Sequence, residues 1–230
     1  MSTETFKRGQ VEWAIWGVYT QQRAAAGEPP PAFHTRLKRL LEADRDPDRP
    51  PGRQEGYAFA STAGTGLDAA FSTYDAFSLA LALELLGSGF KPSEVISLLR
   101  RCRAPLERRF NAIVKTPRPQ QMPVPAERWP DLPSYFEAGK ELADGRVFLV
   151  LPTIELDEVL PLYDPKALDK PAAFPDPKFC HGINELRLEL GRMRFPKWSY
   201  RKAFVMEIAE LAVAITSLLP EAPLTKRGRK

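Results

Sequence analysis

The chain contains, at residues 32–43, the stretch AFHTRLKRLLEA, which decides how the first half of the sequence is interpreted. Its apolar residues recur at i, i+4, i+7 and i+8, which predicts a helix buried along one side by Phe33, Leu37, Leu40 and Leu41. The opposite side carries polar and basic residues: His34, Thr35, Arg36, Lys38 and Arg39. Such a helix has an apolar anchor and an exposed positive surface.

A second helix is predicted just before it, over residues 3–26, because Val11, Ala14, Ile15 and Val18 fall at helical spacing. Gly27 and the three prolines at 29–31 form the turn between the two helices. Two helices joined in this way are typical of a helix-turn-helix, whose second helix enters a major groove about 12 Å wide.

In that arrangement Arg36 and Arg39 could each read a guanine, and Thr35 and Lys38 suit base edges or phosphates. His34 lies on the same face, and three further cations could hold the phosphate backbone: Lys7, Arg8 and Arg23. A basic outer face is also common on short helices that bind nothing, so a plain solvated face stays open as the alternative.

Residues 57–60 and 67–71 are predicted as two strands of a hairpin that would form a wing behind the helix pair. The tip, STAGTG at 61–66, is small and polar, which suits close approach to a phosphate backbone through Ser61, Thr62 and Thr65. Arg53, in the charged loop 44–56, would add a cation. A flexible hairpin without a ligand is the other interpretation. A nucleotide-binding loop is disfavoured because no GxxxxGK[ST] motif is present.

Two helices are predicted next, over 72–87 and from about 91 to 103, with Ser72 and Asp75 spaced as a capping box. The order of elements resembles the MerR-type winged-helix DNA-binding domain over residues 6–103. The matching segments are Arg8–Val11 (RGQV), Tyr74–Phe77 (YDAF) and Gly87–Leu99 (GSGFKPSEVISLL). The resemblance implies a winged helix-turn-helix and duplex DNA as the ligand. The family's arginine-tyrosine-tyrosine element is replaced here by residues 34–39, and Pro105 interrupts the expected long dimerisation helix.

Six prolines within residues 116–133 predict a linker. The expected organisation is a DNA-binding domain at 1–115, the linker, a small α+β effector or dimerisation domain at 134–220, and a basic tail at 221–230. In the second domain, RVFLVL at 146–151 predicts a buried strand. The alternation of Leu186, Leu188 and Leu190 favours another strand, with a helix left open. Residues 199–219 are predicted as one long amphipathic helix and a candidate dimer interface. The fold class expected is therefore mainly α with small β elements.

Charge is distributed unevenly along the chain, whose formal net charge is +4. Residues 1–119 hold 17 Lys and Arg against 13 Asp and Glu, whereas residues 120–225 hold 12 against 16. Five arginines form a second basic cluster that could contact phosphate, pair with the acidic half or simply be solvated: Arg100, Arg101, Arg103, Arg108 and Arg109. Two cysteines without a disulfide framework and no apolar run of about 20 residues predict a cytoplasmic protein with no membrane contact.

Catalytic chemistry is not indicated. The two histidines, His34 and His181, lack the partners at metal-ligand spacing that a zinc site requires, and Cys180 beside His181 has no orienting third group. We expect no metal, no cofactor and no enzyme activity. The leading hypothesis is a DNA-binding transcriptional regulator of double-stranded DNA that acts as a homodimer. The alternative is a non-enzymatic protein–protein adaptor or a phage or plasmid accessory protein.

Overall fold

A computed structural model describes residues 4–20, 28–45, 57–59, 70–116, 145–153, 177–192 and 202–223. These residues form mainly helices, with two small antiparallel sheets. The helices are α1 (Arg8–Tyr19), α2 (Pro31–Asp44), α3 (Thr73–Gly87), α4 (Pro92–Arg101), α5 (Arg103–Lys115), α6 (Gly182–Arg192) and α7 (Ala209–Leu218). The strands are β1 (Phe6–Lys7), β2 (Ala70–Phe71), β3 (Val147–Thr153), β4 (Lys178–His181) and β5 (Lys202–Glu207).

Helix α3 lies at the centre of the described structure. The predicted capping box is present, because the Ser72 hydroxyl accepts from the Asp75 amide at 3.1 Å and the Asp75 carboxylate accepts from the Ser72 amide at 2.9 Å. Every residue from Tyr74 to Leu85 except Glu84 is buried. A helix that is apolar on all sides must be surrounded. Helices α1, α4 and α7 pack around it.

The first sheet joins residues just before α1 to residues just before α3. Strand β1 pairs antiparallel with β2, with Phe6 opposite Phe71 and Lys7 opposite Ala70. The predicted helix 3–26 is therefore too long at its start, since α1 begins at Arg8. Residues 57–59 are not a strand, and 70–71 pairs with β1 rather than with them. The predicted tip at 61–66 lies outside the described residues.

The second sheet has the strand order β4-β3-β5, and β3 pairs antiparallel with both neighbours. The buried strand predicted at 146–151 is confirmed as β3. The strand predicted around Leu186 to Leu190 is wrong, because these residues belong to α6, where only Leu186 of the three leucines is fully buried. The single helix predicted at 199–219 is also wrong over residues 202–207, which form β5. The Glu207 carboxylate accepts from the amides of Ala209 and Glu210 and so begins α7 after the strand.

Helix α7 completes the core formed by the first half of the chain. Ala212, Ile215 and Leu218 are buried and belong to one apolar cluster with residues of α1, α3 and α5. The β3 residues Val147, Leu149 and Leu151 join the same cluster. The apolar face of α7 is therefore not available as a dimer interface, and that assignment is wrong. The linker at 116–133 lies outside the described residues except for Thr116, and the division into two domains stays a prediction.

Replacing Gly17 by leucine tests how α7 packs on α1. A Cβ atom at position 17 would lie 3.1 Å from Leu218 Cδ1, so the larger side chain overfills the contact. Overpacking of this kind costs about 1–3 kcal/mol of unfolding free energy, which urea denaturation measures. Gly191→Leu is the matched control, since nothing lies within 4 Å of a Cβ at that helical position. Equal stability of the two variants would contradict the packing of α7 on α1.

Candidate nucleic-acid interface

Helix α2 has the two faces that the sequence predicts. Leu37, Leu40 and Leu41 are buried at 0%, 2% and 5% exposure. Phe33 is half-buried. The centroid of its ring lies 5.3 Å from the ring centroid of Trp16 and 6.4 Å from that of Tyr19. Phe33 therefore packs on α1, and α2 also packs against α4, as an anchored helix requires.

The opposite face of α2 points to solvent. Thr35, Arg36, Lys38 and Arg39 are exposed. Lys38 Nζ lies 3.6 Å from the Glu42 carboxylate, and the Thr35 hydroxyl donates to the Pro31 carbonyl at 2.9 Å. Within the described part of the chain, neither Arg36 nor Arg39 forms a hydrogen bond or an ion pair. Both side chains are exposed, and Arg36 lies close enough to Tyr19 for an electrostatic interaction.

Two of the predicted contact residues are partly committed to holding α1 and α2 together. Arg8 donates from Nε to the Glu12 carboxylate at 2.7 Å and from Nη2 to the His34 carbonyl at 3.3 Å. His34 Nδ1 lies 2.6 Å from the other Glu12 oxygen. The Glu12 side chain is only 8% exposed, whereas the side chains of Arg8 and His34 are about 40% exposed. Lys7 is exposed, and its backbone amide donates to Gln10.

The remaining predicted contact residues lie outside the described residues: Arg23, Arg53, Ser61, Thr62 and Thr65. The structure therefore brings together the contact residues of β1, α1 and α2. The predicted contribution of the wing stays a prediction.

A buried ion pair fixes the far end of α2, and sequence reasoning missed it. Asp44 is the last residue of α2 and is buried at 3% exposure, although the sequence pattern placed it in a solvated loop. Its carboxylate accepts from Arg100 Nε at 2.7 Å and from the backbone amides of Ala58 and Phe59 at 3.1 and 3.2 Å. The partners are separated by 56 positions, so no local pattern could reveal the pair.

Arg103 holds the same short segment from its other side. Its Nη1 atom donates to the carbonyls of Tyr57, Ala58 and Phe59, and its Nη2 atom donates to Asp75 at 2.9 Å. The segment 57–59 is thus clamped through both its amides and its carbonyls.

The second basic cluster is therefore not one surface for phosphate. Arg100 and Arg103 make the internal bonds just described, so a phosphate role for them is wrong. Arg109 Nη1 lies 2.5 Å from His181 Nε2. Arg101 and Arg108 are exposed.

Asp44→Ala tests the clamp. The substitution leaves Arg100, whose side chain is 11% exposed, without its partner and removes the acceptor of two amides. Loss of one member of a buried pair costs about 3–5 kcal/mol of unfolding free energy. Glu42→Ala, on the exposed face of the same helix, changes it by about 0.5 kcal/mol or less. Chemical denaturation of both variants measures the difference, and similar values would contradict the structural role of Asp44.

Thiol and metal chemistry have no support in the described residues. Burial raises the pKa of the Cys102 thiol to about 12, and burial followed by the nearby Glu189 and Glu185 raises the pKa of the Cys180 thiol. Because the thiolate is the reactive form, both sulfurs are poor nucleophiles. Among the described residues, no three His, Cys, Asp or Glu side chains are grouped as a metal site.

Thiol labelling tests this assignment. In the native protein we expect iodoacetamide at about pH 8 to modify Cys102 and Cys180 far more slowly than a free cysteine, because burial shields the thiols and keeps them protonated. In guanidinium chloride both should react at the ordinary rate, and mass spectrometry counts the added groups. Rapid labelling of either cysteine in the folded protein would contradict the burial described above.

The described residues define the class of protein only by fold, as a mainly helical protein with two small antiparallel sheets in these ranges. Comparison with known proteins adds no relative, because no protein-family model, curated protein or solved structure matches the chain. None of the helices in the described ranges has the length and apolar character needed to cross a bilayer.

Proposed function

We propose that the protein is a transcriptional regulator that binds double-stranded DNA, with α2 as its recognition helix. The observation that carries the proposal is the division of α2 into a buried apolar face and an exposed face bearing Arg36, Lys38 and Arg39. A helix of 14 residues is about 21 Å long and fits lengthwise in a major groove.

The charges around α2 support an anionic ligand. The exposed cations on and beside the helix are Lys7, Arg36, Lys38, Arg39 and Arg45, whereas the exposed acids are Glu42 on the helix, Glu28 before it and Glu4 before Lys7. Glu42 lies beside Lys38 and offsets its charge, so the excess positive charge presented to a ligand comes from the arginines on and beside the helix. Phosphate neutralisation by such cations supplies much of the affinity for duplex DNA.

The order of α1, α2, α3 and α4 agrees with the MerR-type arrangement, which is part of the proposal, although residues 57–59 are not the predicted hairpin strand. A strand precedes α1, its partner strand immediately precedes α3, and α1 and α2 lie between them. We propose that the chain acts as a homodimer, because paired half-sites match a two-fold protein. The contacts of the second half of the chain would then govern sensing or assembly.

Substitutions on α2 test the proposal. Genomic fragments that the protein retains are sequenced first, which defines a site for titration. At that site Arg36→Ala and Arg39→Ala should each weaken binding by about 1–3 kcal/mol, because each removes a bidentate base contact. Arg192→Ala is the matched control, since this arginine of α6 is 74% exposed and pairs with a neighbour on its own helix. Its affinity should equal that of the native protein.

Binding to a random duplex gives the complementary measurement. Affinity should fall steeply with salt, with a slope of about 0.9 per phosphate neutralised. A native protein that fails to bind at low salt would overturn the proposal and favour an adaptor. Retention of full affinity by both arginine variants would remove α2 from the interface even if DNA binds elsewhere.

A further inference from the structure

The contact between Glu12 and His34 joins two helices and also sets the orientation of the His34 ring. The buried Glu12 carboxylate accepts from Arg8 through one oxygen and lies 2.6 Å from His34 Nδ1 through the other. A carboxylate at that distance from Nδ1 fixes a proton on this nitrogen. The second ring nitrogen, Nε2, is then the one available to a ligand, and the His34 side chain is 42% exposed.

We propose that His34 is a proton-dependent phosphate contact, whose ring is oriented by the buried carboxylate of Glu12. This inference rests on the proposed function and deepens it, because it assigns a state of charge to one contact of the same interface. With Nδ1–H donated to Glu12, a neutral His34 presents an unprotonated Nε2, which repels a phosphate oxygen. Protonation turns Nε2 into a donor and makes the bond charge-assisted.

The charged groups near His34 come from α1, β1 and α2. From α1, Glu12 faces the ring and Arg8 reaches the His34 carbonyl. Lys7 precedes Arg8 in β1 and is exposed. On α2 itself, Lys38 lies one turn further on and is engaged with Glu42. Bound phosphate adds negative charge beside the imidazole, so the complex holds the proton more tightly than the free protein. By linkage, affinity is greater at low pH and declines as pH rises.

Because the chain has few histidines, the effect of His34 protonation on binding can be measured separately. Between about pH 5.5 and pH 7, imidazole is the side chain that ordinarily changes charge. The chain has two histidines, so His181 is a natural control. It lies in β4, where Arg109 Nη1 occupies its Nε2 atom at 2.5 Å. A pH effect from His34 can therefore be separated from one due to His181 by two single substitutions.

The experiment measures the affinity for a labelled duplex by fluorescence anisotropy from about pH 5.5 to about pH 7 at constant ionic strength. We expect the native protein to bind about three- to tenfold more tightly at the lower pH, as one charge-assisted contact implies. His34→Gln should show a flat profile. Glu12→Gln, which keeps a hydrogen-bond acceptor but removes the charge, should have a reduced slope. His181→Gln should follow the native profile.

Other readouts separate a phosphate contact from a purely structural role. At low pH, His34→Gln should lower the salt slope by about 0.9, the value for one lost phosphate contact. A purely structural histidine would instead leave the salt slope unchanged when it is replaced, and the melting temperature would fall together with the affinity. Normal DNA binding with a flat native profile would overturn this inference and leave the proposed function standing. Absence of DNA binding at every pH and at low salt would overturn the proposed function itself.

Discussion

The burial of α3 on every side is the constraint on which the described structure depends. A surface helix needs one apolar partner, but a helix buried from Tyr74 to Leu85 must be enclosed by several. The neighbouring elements α1, β2 and α4 contact it, and so does α7 from the distant end of the chain. Because α7 is used in this way, its apolar face serves the core of the chain itself.

Elements whose pattern is strong and local could be predicted from the sequence. The apolar spacing over 31–44, the capping box at Ser72 and the continuous apolar run of β3 each identify their own structure. The failures occur where tertiary partners decide. Residues 202–207 fit a helical stripe, yet β3 needs a second antiparallel neighbour and Glu207 caps a helix that starts only at Ala209. Leu188 and Leu190 alternate like strand residues but lie on a helix.

The same distinction governs the candidate site. The exposed arginines of α2 could be predicted because a helix repeats its faces every few residues. Arg100 and Arg103 could not be separated from them by composition, since all are arginines on short helices. What distinguishes Arg100 is Asp44, 56 positions away, and what distinguishes Arg103 is a set of carbonyls more than 40 positions away. The sequence shows that a residue is an arginine, but it does not show the distant acceptor to which that arginine donates in the folded chain.

Polar contacts at both ends of α2 fix the position of the helix and hence of its exposed face. Near its start the helix is tied to α1 through His34, Glu12 and Arg8, and at its end Asp44 ties it to α4. A helix fixed at both ends and anchored by leucines between them has little freedom left to lose when its exposed face meets a ligand. Binding then avoids much of the ordering cost that a mobile segment incurs. Because the polar ties lie away from Arg36 and Arg39, the helix can be held rigidly while both guanidinium groups stay exposed.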